Sequence, residues 1–196
     1  KCGSSFTTID GGTVTDLINF FVNASDGSTY CFGSGGSIYV RSADGAWNFA
    51  YNDENGRICG AAEWKLSDGN NYLMWATNTS VARAAMNGAL AVPWAAGVAT
   101  QDYKTDLENV GETSWHTMKI AAGQLNIANG PYLASVKYNG NYDADELIIR
   151  PGNEITCFEE RDDYVIIGSK RTDNVDESYI WSWTPGAVNF IQKKRI

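Results

Sequence analysis

The sequence predicts an all-β chain made of successive four-stranded antiparallel sheets, and three observations carry that expectation. First, the stretch 154–196 holds four short apolar runs, at 155–158, 164–168, 179–183 and 188–191. Charged or small residues separate them: Glu159-Glu160-Arg161-Asp162-Asp163, then 170–177, then Thr184-Pro185-Gly186. Short runs rich in Ile, Val, Tyr and Trp, bounded by Asp, Asn, Pro and Gly, indicate strands joined by hairpins. Second, residues 37–49 slide forward by 141 positions onto 178–190 without a gap. Ser37/Ser178, Gly45/Gly186, Ala46/Ala187, Asn48/Asn189 and Phe49/Phe190 are identical, where average composition gives about one identity. That offset is three times about 47 residues, the length of one four-stranded propeller blade. Third, Tyr164-Val165-Ile166-Ile167 does not alternate polar with apolar, so this strand is expected to be covered on both faces. Blades stacked around an axis cover both faces of each sheet. The predicted fold is therefore a β-propeller of about four four-stranded antiparallel blades, either one domain or part of a larger ring.

Taken in order, residues 1–13 are small and polar and read as a connector. Blade one spans 14–51, with strands at 14–22, 29–33, 37–41 and 46–51. Its turns are Ser25-Asp26-Gly27, Ser34-Gly35-Gly36 and Ala43-Asp44-Gly45, where glycine supplies the positive φ of tight hairpins. Its 17–20 stretch matches 155–158 in character, and Phe32-Gly33 matches Ile167-Gly168. Blade two spans 57–86, with 57–66 as one long strand or two short ones, then 72–77, then 80–86 closing the sheet. Here the Ala-rich 81–86 has the only hint of helical character in the chain. A second match, offset by 107, pairs Tyr72, Thr77 and Val81 with Tyr179, Thr184 and Val188. Residues 87–114 lack period-two patterning and contain Gly88, Pro93, Gly97 and Gly111. They are expected to be an irregular insertion, projecting or packed across one end, where long loops often carry function. Blade three spans 115–150, with strands at 115–121, 124–128, 132–138 and 146–150. Blade four spans 153–192.

Composition narrows the function. The 196 residues carry a formal charge of −8 and one basic cluster, Lys193-Lys194-Arg195, which argues against a nucleic-acid partner, since that binding depends on clustered Lys and Arg. No run approaches the length of a membrane span, and no signal-peptide pattern is visible. The chain begins Lys-Cys-Gly without Met and ends on strand-like residues, as expected of a piece of a longer polypeptide. Cys2, Cys31, Cys59 and Cys157 are far apart with no C-x-x-C, so no zinc site is expected. Cys31 and Cys157 lie in apolar runs and are expected as buried free thiols, while a disulfide to Cys2 stays open.

Catalytic chemistry finds little purchase. A nucleophile needs an adjacent base, and the single His116 sits in an expected Trp-His-Thr-Met strand. Glycoside hydrolysis needs two acids facing across a cleft, whereas Glu159, Glu160, Asp162 and Asp163 are adjacent in one expected turn. The oxygen-rich turns Asn52-Asp53-Glu54-Asn55 and Asp173-Asn174-Val175-Asp176-Glu177 lack EF-hand spacing, and Gly33-Ser34-Gly35-Gly36 reads as a hairpin turn, not a phosphate cradle. No cofactor or metal is expected. Seven Trp remain. Aromatic platforms stack sugars, and flat rings equally fill the space between blades. Trp75, Trp94, Trp181 and Trp183 are the candidate ligand-binding residues, with Trp181 and Trp183 on one strand face.

The phrases at 72–83 (Tyr72-Leu73-Met74-Trp75-Ala76-Thr77 onward), 115–118, Asn129-Gly130-Pro131-Tyr132-Leu133-Ala134 and 159–169 resemble segments of uncharacterised β-propeller proteins encoded in environmental and gut phage and bacterial contigs. The resemblance covers 15–196. It implies a virion-associated or extracellular, surface-exposed propeller whose partners are other structural proteins of the assembly. It brings no catalytic residues. The expected function is thus a non-enzymatic module of a virion, such as a phage tail, or of an extracellular assembly, contacting proteins or host-surface glycans, with self-association compatible. The alternative is a propeller lectin or a carbohydrate-active hydrolase or lyase with acids at the axial mouth.

Overall fold

The computed structural model describes residues 6–7, 13–41, 45–86, 91–108, 114–173, 177–186 and 190–195. No helix occurs among them, and so none long and apolar enough to cross a membrane. The chain divides into two compact units, Lys1–Thr105 and Asp106–Ile196, and each contains two four-stranded antiparallel sheets.

In the first unit a short pair, β1 (Phe6–Thr7) and β2 (Thr13–Val14), precedes sheet one. Sheet one is β3 (Ile18–Asn23), β4 (Thr29–Gly33), β5 (Ser37–Arg41) and β6 (Trp47–Asn52); sheet two is β7 (Gly60–Lys65), β8 (Asn71–Ala76), β9 (Val81–Ala85) and β10 (Ala99–Lys104). In the second unit sheet three is β11 (Met118–Ala121), β12 (Gln124–Asn129), β13 (Tyr132–Val136) and β14 (Tyr142–Ile148), and sheet four is β15 (Asn153–Arg161), β16 (Tyr164–Arg171), β17 (Ser178–Trp183) and β18 (Phe190–Arg195). Every sheet is a meander whose strands lie side by side in chain order. The turns read from Asp, Asn and Gly produce this, because short loops join only antiparallel neighbours.

Register fixes which residues share a face. Phe20, Phe32, Ile38 and Tyr51 stand opposite one another across the four strands of sheet one. They pack against Ile58, Leu73, Trp75, Ala82 and Ala84 on the sheet-two side, forming the core of the first unit. Phe158, Ile167 and Trp181 make the corresponding row in sheet four and pack with Val165 and Trp183 against Ala128, Leu133, Leu147 and Ile149. Each fully buried Leu, Ile, Val or Phe among them contributes about 1.5–3 kcal/mol of burial.

The 141-residue repeat connects equivalent hairpins. It maps β5 and β6 onto β17 and β18, the third and fourth strands of sheets one and four. Gly45 (φ 91°) and Gly186 (φ 78°) both sit in the left-handed region just ahead of the fourth strand, where a Cβ is strained. The equivalence stops at the hairpin, because Phe49 lies opposite Tyr39 whereas Phe190 lies opposite Trp183. A copy in register would face Ile180, which instead pairs with Lys194. The β17–β18 loop is one residue longer and the bulges fall at different places. The 107-residue offset is coincidence, since Tyr72 is on a second strand and Tyr179 on a third.

Four further expectations change. Blade two does not close at 80–86: β9 is an interior strand, without helix, and β10 lies within the stretch expected to be irregular. An edge strand is paired on one side only and can be polar on both faces; β10 reads Ala-Thr-Gln-Asp-Tyr-Lys and is bulged between Thr100 and Lys104. Strand β16 is not covered on both faces: Val165 and Ile167 are buried while Tyr164 and Ile166 are half-buried. Among the strands whose burial is described, β12 is the fully covered one. Its polar residues hid this, but they satisfy one another, with Asn126 Nδ2 donating to the Ala121 carbonyl at 2.7 Å and Gln124 Nε2 donating to Asn126 Oδ1 at 3.1 Å. Cys157 is exposed, not buried. A bulge between Ile155 and Cys157 inserts one extra residue, so Thr156 and Cys157 both face outward. Cys31 and Cys59 are buried free thiols, and Cys2 lies outside the described residues. His116 precedes β11 and is not in a strand.

Candidate binding face

The second face of sheet one carries a cross-strand row of its own: Phe21, Cys31, Tyr39 and Phe49, one from each strand. The adjacent row is Asn23, Thr29, Arg41 and Trp47. Adjacent aromatics at Phe20 and Phe21 send one ring to each face, and Trp47-Asn48-Phe49 alternates so that both rings reach the second face. Phe21 leans toward Trp47, ring centroids 6.2 Å apart, and Phe49 meets Tyr39 edge-on at 5.8 Å. Cys31 and Tyr39 beneath are buried, with Val14 and Ile18 beside them and Trp47 packed against them. Burial pushes the Cys31 thiol up to about 12. Above that floor Phe21 is 54% exposed and Phe49 46%. These residues were missed in the sequence, although the Trp47–Phe49 alternation marks them.

The four predicted tryptophans are elsewhere and serve packing. Trp75, Trp94, Trp181 and Trp183 are all buried, the most exposed at 7%, so none offers a ring face to a sugar. Trp75 and Trp94 come together in the first unit at 6.1 Å, and Trp94 stacks on Tyr51 at 5.7 Å. The Trp94 amide donates to the Ala50 carbonyl at 2.8 Å. Trp181 and Trp183 share the buried face of β17, where Trp181 Nε1 donates to Ser169 Oγ at 2.7 Å. They face inward because the alternation of β17 points Tyr179, Trp181 and Trp183 to the face that meets sheet three.

The residues weighed for chemistry also have structural partners. His116 is fully buried, its Nδ1 donating to the Ala128 carbonyl at 2.8 Å. The Asp53 carboxylate is buried and accepts from the Asn55 amide at 2.9 Å, Trp75 Nε1 at 2.7 Å and Gln101 Nε2 at 3.3 Å. Those donors occupy the oxygens a cation would need. Of the second oxygen-rich turn, 174–176 lie outside the described residues. Among the described residues no group of three or more His, Cys, Asp or Glu is placed to hold a metal ion. Glu159 and Glu160 stand on β15, exposed, and the turn is only Asp162-Asp163 with Asp162 at φ 54°. An open cavity of about 440 Å³ beside β14 is lined by Lys137, Asp143, Asp145 and Glu146 together with Leu147, Ile148 and Gly186. Its one cation is already paired, Lys137 Nζ lying 3.0 Å from Glu146 and 4.0 Å from Asp143, and the lining is acidic on balance. The hydrogen bond to Glu146 is the main reason the Lys137 ammonium is held above its usual range.

No protein-family model matches the chain, and no curated protein matches it in sequence. Solved structures do resemble it. One is a protein of unknown function from Bacteroides caccae, with TM-score 0.53 and 11% identity over 91% of this chain and 60% of that one. Selenomethionine-substituted virginiamycin B lyase from Staphylococcus aureus gives 0.54 and 10%, over 96% of this chain and 76% of that one. A chain of the mitotic checkpoint complex gives 0.55 and 12%, over 94% and 55%. The chain thus spans little more than half of the first and third of these proteins. The lyase and the checkpoint chain are propeller-like, and identities of 10–12% speak to fold alone. This is an all-β chain of the β-propeller class, with four four-stranded antiparallel blades.

Proposed function

We propose that the chain is a non-enzymatic binding module of a larger assembly, and that it holds a protein partner on the second face of sheet one. The observation that carries this reading is the row Phe21, Cys31, Tyr39, Phe49, whose end rings stand about half exposed on a rigid sheet. Exposed aromatics over a buried floor are the composition of protein-contact sites, and a propeller presents them without rearrangement. The resemblance to phage-encoded propellers suggests a virion or an extracellular assembly as the setting. One structural neighbour belongs to a multiprotein checkpoint complex, which agrees with assembly as a use of the fold. Another is a lyase, so the fold itself does not decide against catalysis.

The test is two-sided. The pure chain is screened for binding to virion or fibre proteins, to glycans, and for release of reducing ends from the same glycans. Protein binding that is lost on Phe49→Ser is the expected result. Glycan turnover that disappears on Glu160→Gln would replace the proposal with the enzyme reading.

A further inference from the structure

We propose that residues 91–97 form a strap closed over the first unit by a single peg, Trp94, and that the strap opens on its own to free an aromatic seat between sheets one and two. The seat lies on the opposite side of sheet one from the candidate face and does not depend on it.

The strap runs toward β10. Residues 91–93 and 95–97 are exposed, and Trp94 alone is buried, at 7% exposure. Among the described residues its one hydrogen bond to the sheets runs from the Trp94 amide to the Ala50 carbonyl, at 2.8 Å. One ring and one backbone bond therefore hold the segment. Few buried contacts and few protected amides place a segment among those that open without the rest of the fold.

The seat is built without the peg. Tyr30 on β4, Tyr51 on β6 and Trp75 on β8 surround the Trp94 ring at centroid distances of 6.4, 5.7 and 6.1 Å. Tyr51 and Trp75 also meet each other at 6.0 Å, and Trp75 Nε1 donates to the Asp53 carboxylate at 2.7 Å. Strands of two sheets thus fix the walls whether or not Trp94 stands between them.

The peg matches the seat in shape but not in its polar atom. Trp94 Nε1 is buried and has no hydrogen-bond partner, whereas the neighbouring indole of Trp75 has one. A buried donor without an acceptor keeps the full cost of its desolvation, and that cost disappears when the donor reaches water. Aromatic packing closes the strap against this standing penalty. Once open, the first unit offers a slot of indole size walled by three uncharged rings, which takes a flat aromatic ring in place of the peg.

Amide exchange followed by NMR on the full chain tests the opening. The Trp94 amide should exchange at least about a hundredfold faster than the amides of 72–75 in β8. Its rate should hardly respond to urea below the unfolding transition, because a local opening exposes little surface. Trp94→Ala mimics the open state, so it should lower the unfolding free energy by no more than the opening free energy that this amide reports. Indole tests the seat. At about 1 mM it should raise the urea midpoint of Trp94→Gly, by mass action on the folded state, and leave the wild-type chain, whose seat is filled, unshifted. A Trp94 amide that exchanges only with global unfolding overturns the inference. So does a Trp94→Ala chain that fails to fold or loses more stability than the opening accounts for. Local opening with a folded Trp94→Gly chain indifferent to indole overturns the seat and leaves only a mobile strap.

Discussion

Sheets one and four use the same means on one face and opposite means on the other. On the buried side Phe20, Phe32 and Ile38 in sheet one correspond to Phe158, Ile167 and Trp181 in sheet four, and both rows pack against the neighbouring sheet of their own unit. On the second side the equivalent rows differ: sheet one has Phe21, Cys31, Tyr39 and Phe49, whereas sheet four has Glu159, Ile166 and Ser182, with Cys157, Gly168 and Ile180 in the next row. There the Cys157 side chain lies over Gly168, so close that a Cβ on that glycine would stand 2.7 Å from Sγ. One row carries two exposed rings, the other an exposed carboxylate and a half-buried isoleucine. A core row is held by packing that any blade needs, so the second row is where one blade differs from another.

The comparison breaks first if the buried rows are unequal. Phe32→Ala and Trp181→Ala remove fully or almost fully buried rings and should each cost about 3–5 kcal/mol, read from urea unfolding. By the same measurement Phe49→Ser should cost far less, since its ring is 46% exposed. Equal losses for Phe32 and Phe49 would mean that both faces of sheet one are core.

Next come the glycines of the two second strands. At Gly33 a Cβ would meet the Asp16 carboxylate, with Oδ2 at 2.0 Å and Cγ at 2.5 Å. That carboxylate is fixed by the Leu17 and Gly35 amides and the Ser34 hydroxyl. Gly33→Ala should therefore cost about 3 kcal/mol, at the upper end for overpacking. Gly168→Ala meets only Cys157 Sγ, a side chain open to solvent, and should cost about 1 kcal/mol. Cys157→Ala should erase that smaller cost in a double-mutant cycle. If the cost persists without the sulfur, another neighbour crowds the Gly168 position.

Thiols and tyrosines sharpen the contrast more gently. Alkylation read by peptide mass should label exposed Cys157 quickly, and Cys31 and Cys59 only on unfolding. Burial raises Cys31, from an ordinary 9.0, and Tyr30 and Tyr142, from 10.0, each to about 12. A folded pKa above the unfolded one means that stability is fully present below the unfolded value. It is lost as pH rises toward the folded value. Stability should thus hold to about pH 9 and fall between there and pH 12, and Cys31→Ala should flatten the first part of that fall. A stability curve level to pH 11 would contradict the burial of these groups.

The smallest effect belongs to the surface of sheet four, where Lys170 Nζ lies 3.3 Å from Glu154 Oε2. Glu154→Gln should change stability by less than about 1 kcal/mol, and less still in high salt.

The sequence made the meander legible because its signals are local. Asp, Asn and Gly turns between β-branched and aromatic runs identify neighbours, and the repeat found the right hairpin. Three kinds of feature were not legible. Bulges change which face a residue takes without changing composition, which is why Cys157 reads as core and stands in solvent. Edge strands such as β10 need no apolar row. Buried polar residues that bond one another, such as Gln124 and Asn126, look like surface until their partners are known. The same limit explains the site: the four tryptophans singled out, Trp75, Trp94, Trp181 and Trp183, lie in the interior, while two phenylalanines and Trp47 form the candidate face.

Asp53 gives the first unit an order of assembly. Its carboxylate gathers the amide of its own turn, the indole of Trp75 on β8, and the side-chain amide of Gln101 on β10. Strand β10 has little apolar surface of its own, so it lacks a place to settle until the turn after β6 and the middle of sheet two are formed. The outermost strand is then the last to arrive and the first to leave. Its amides should exchange with deuterium sooner than those of β8, and Asp53→Ala should widen that gap by loosening β10 more than the sheet beneath it.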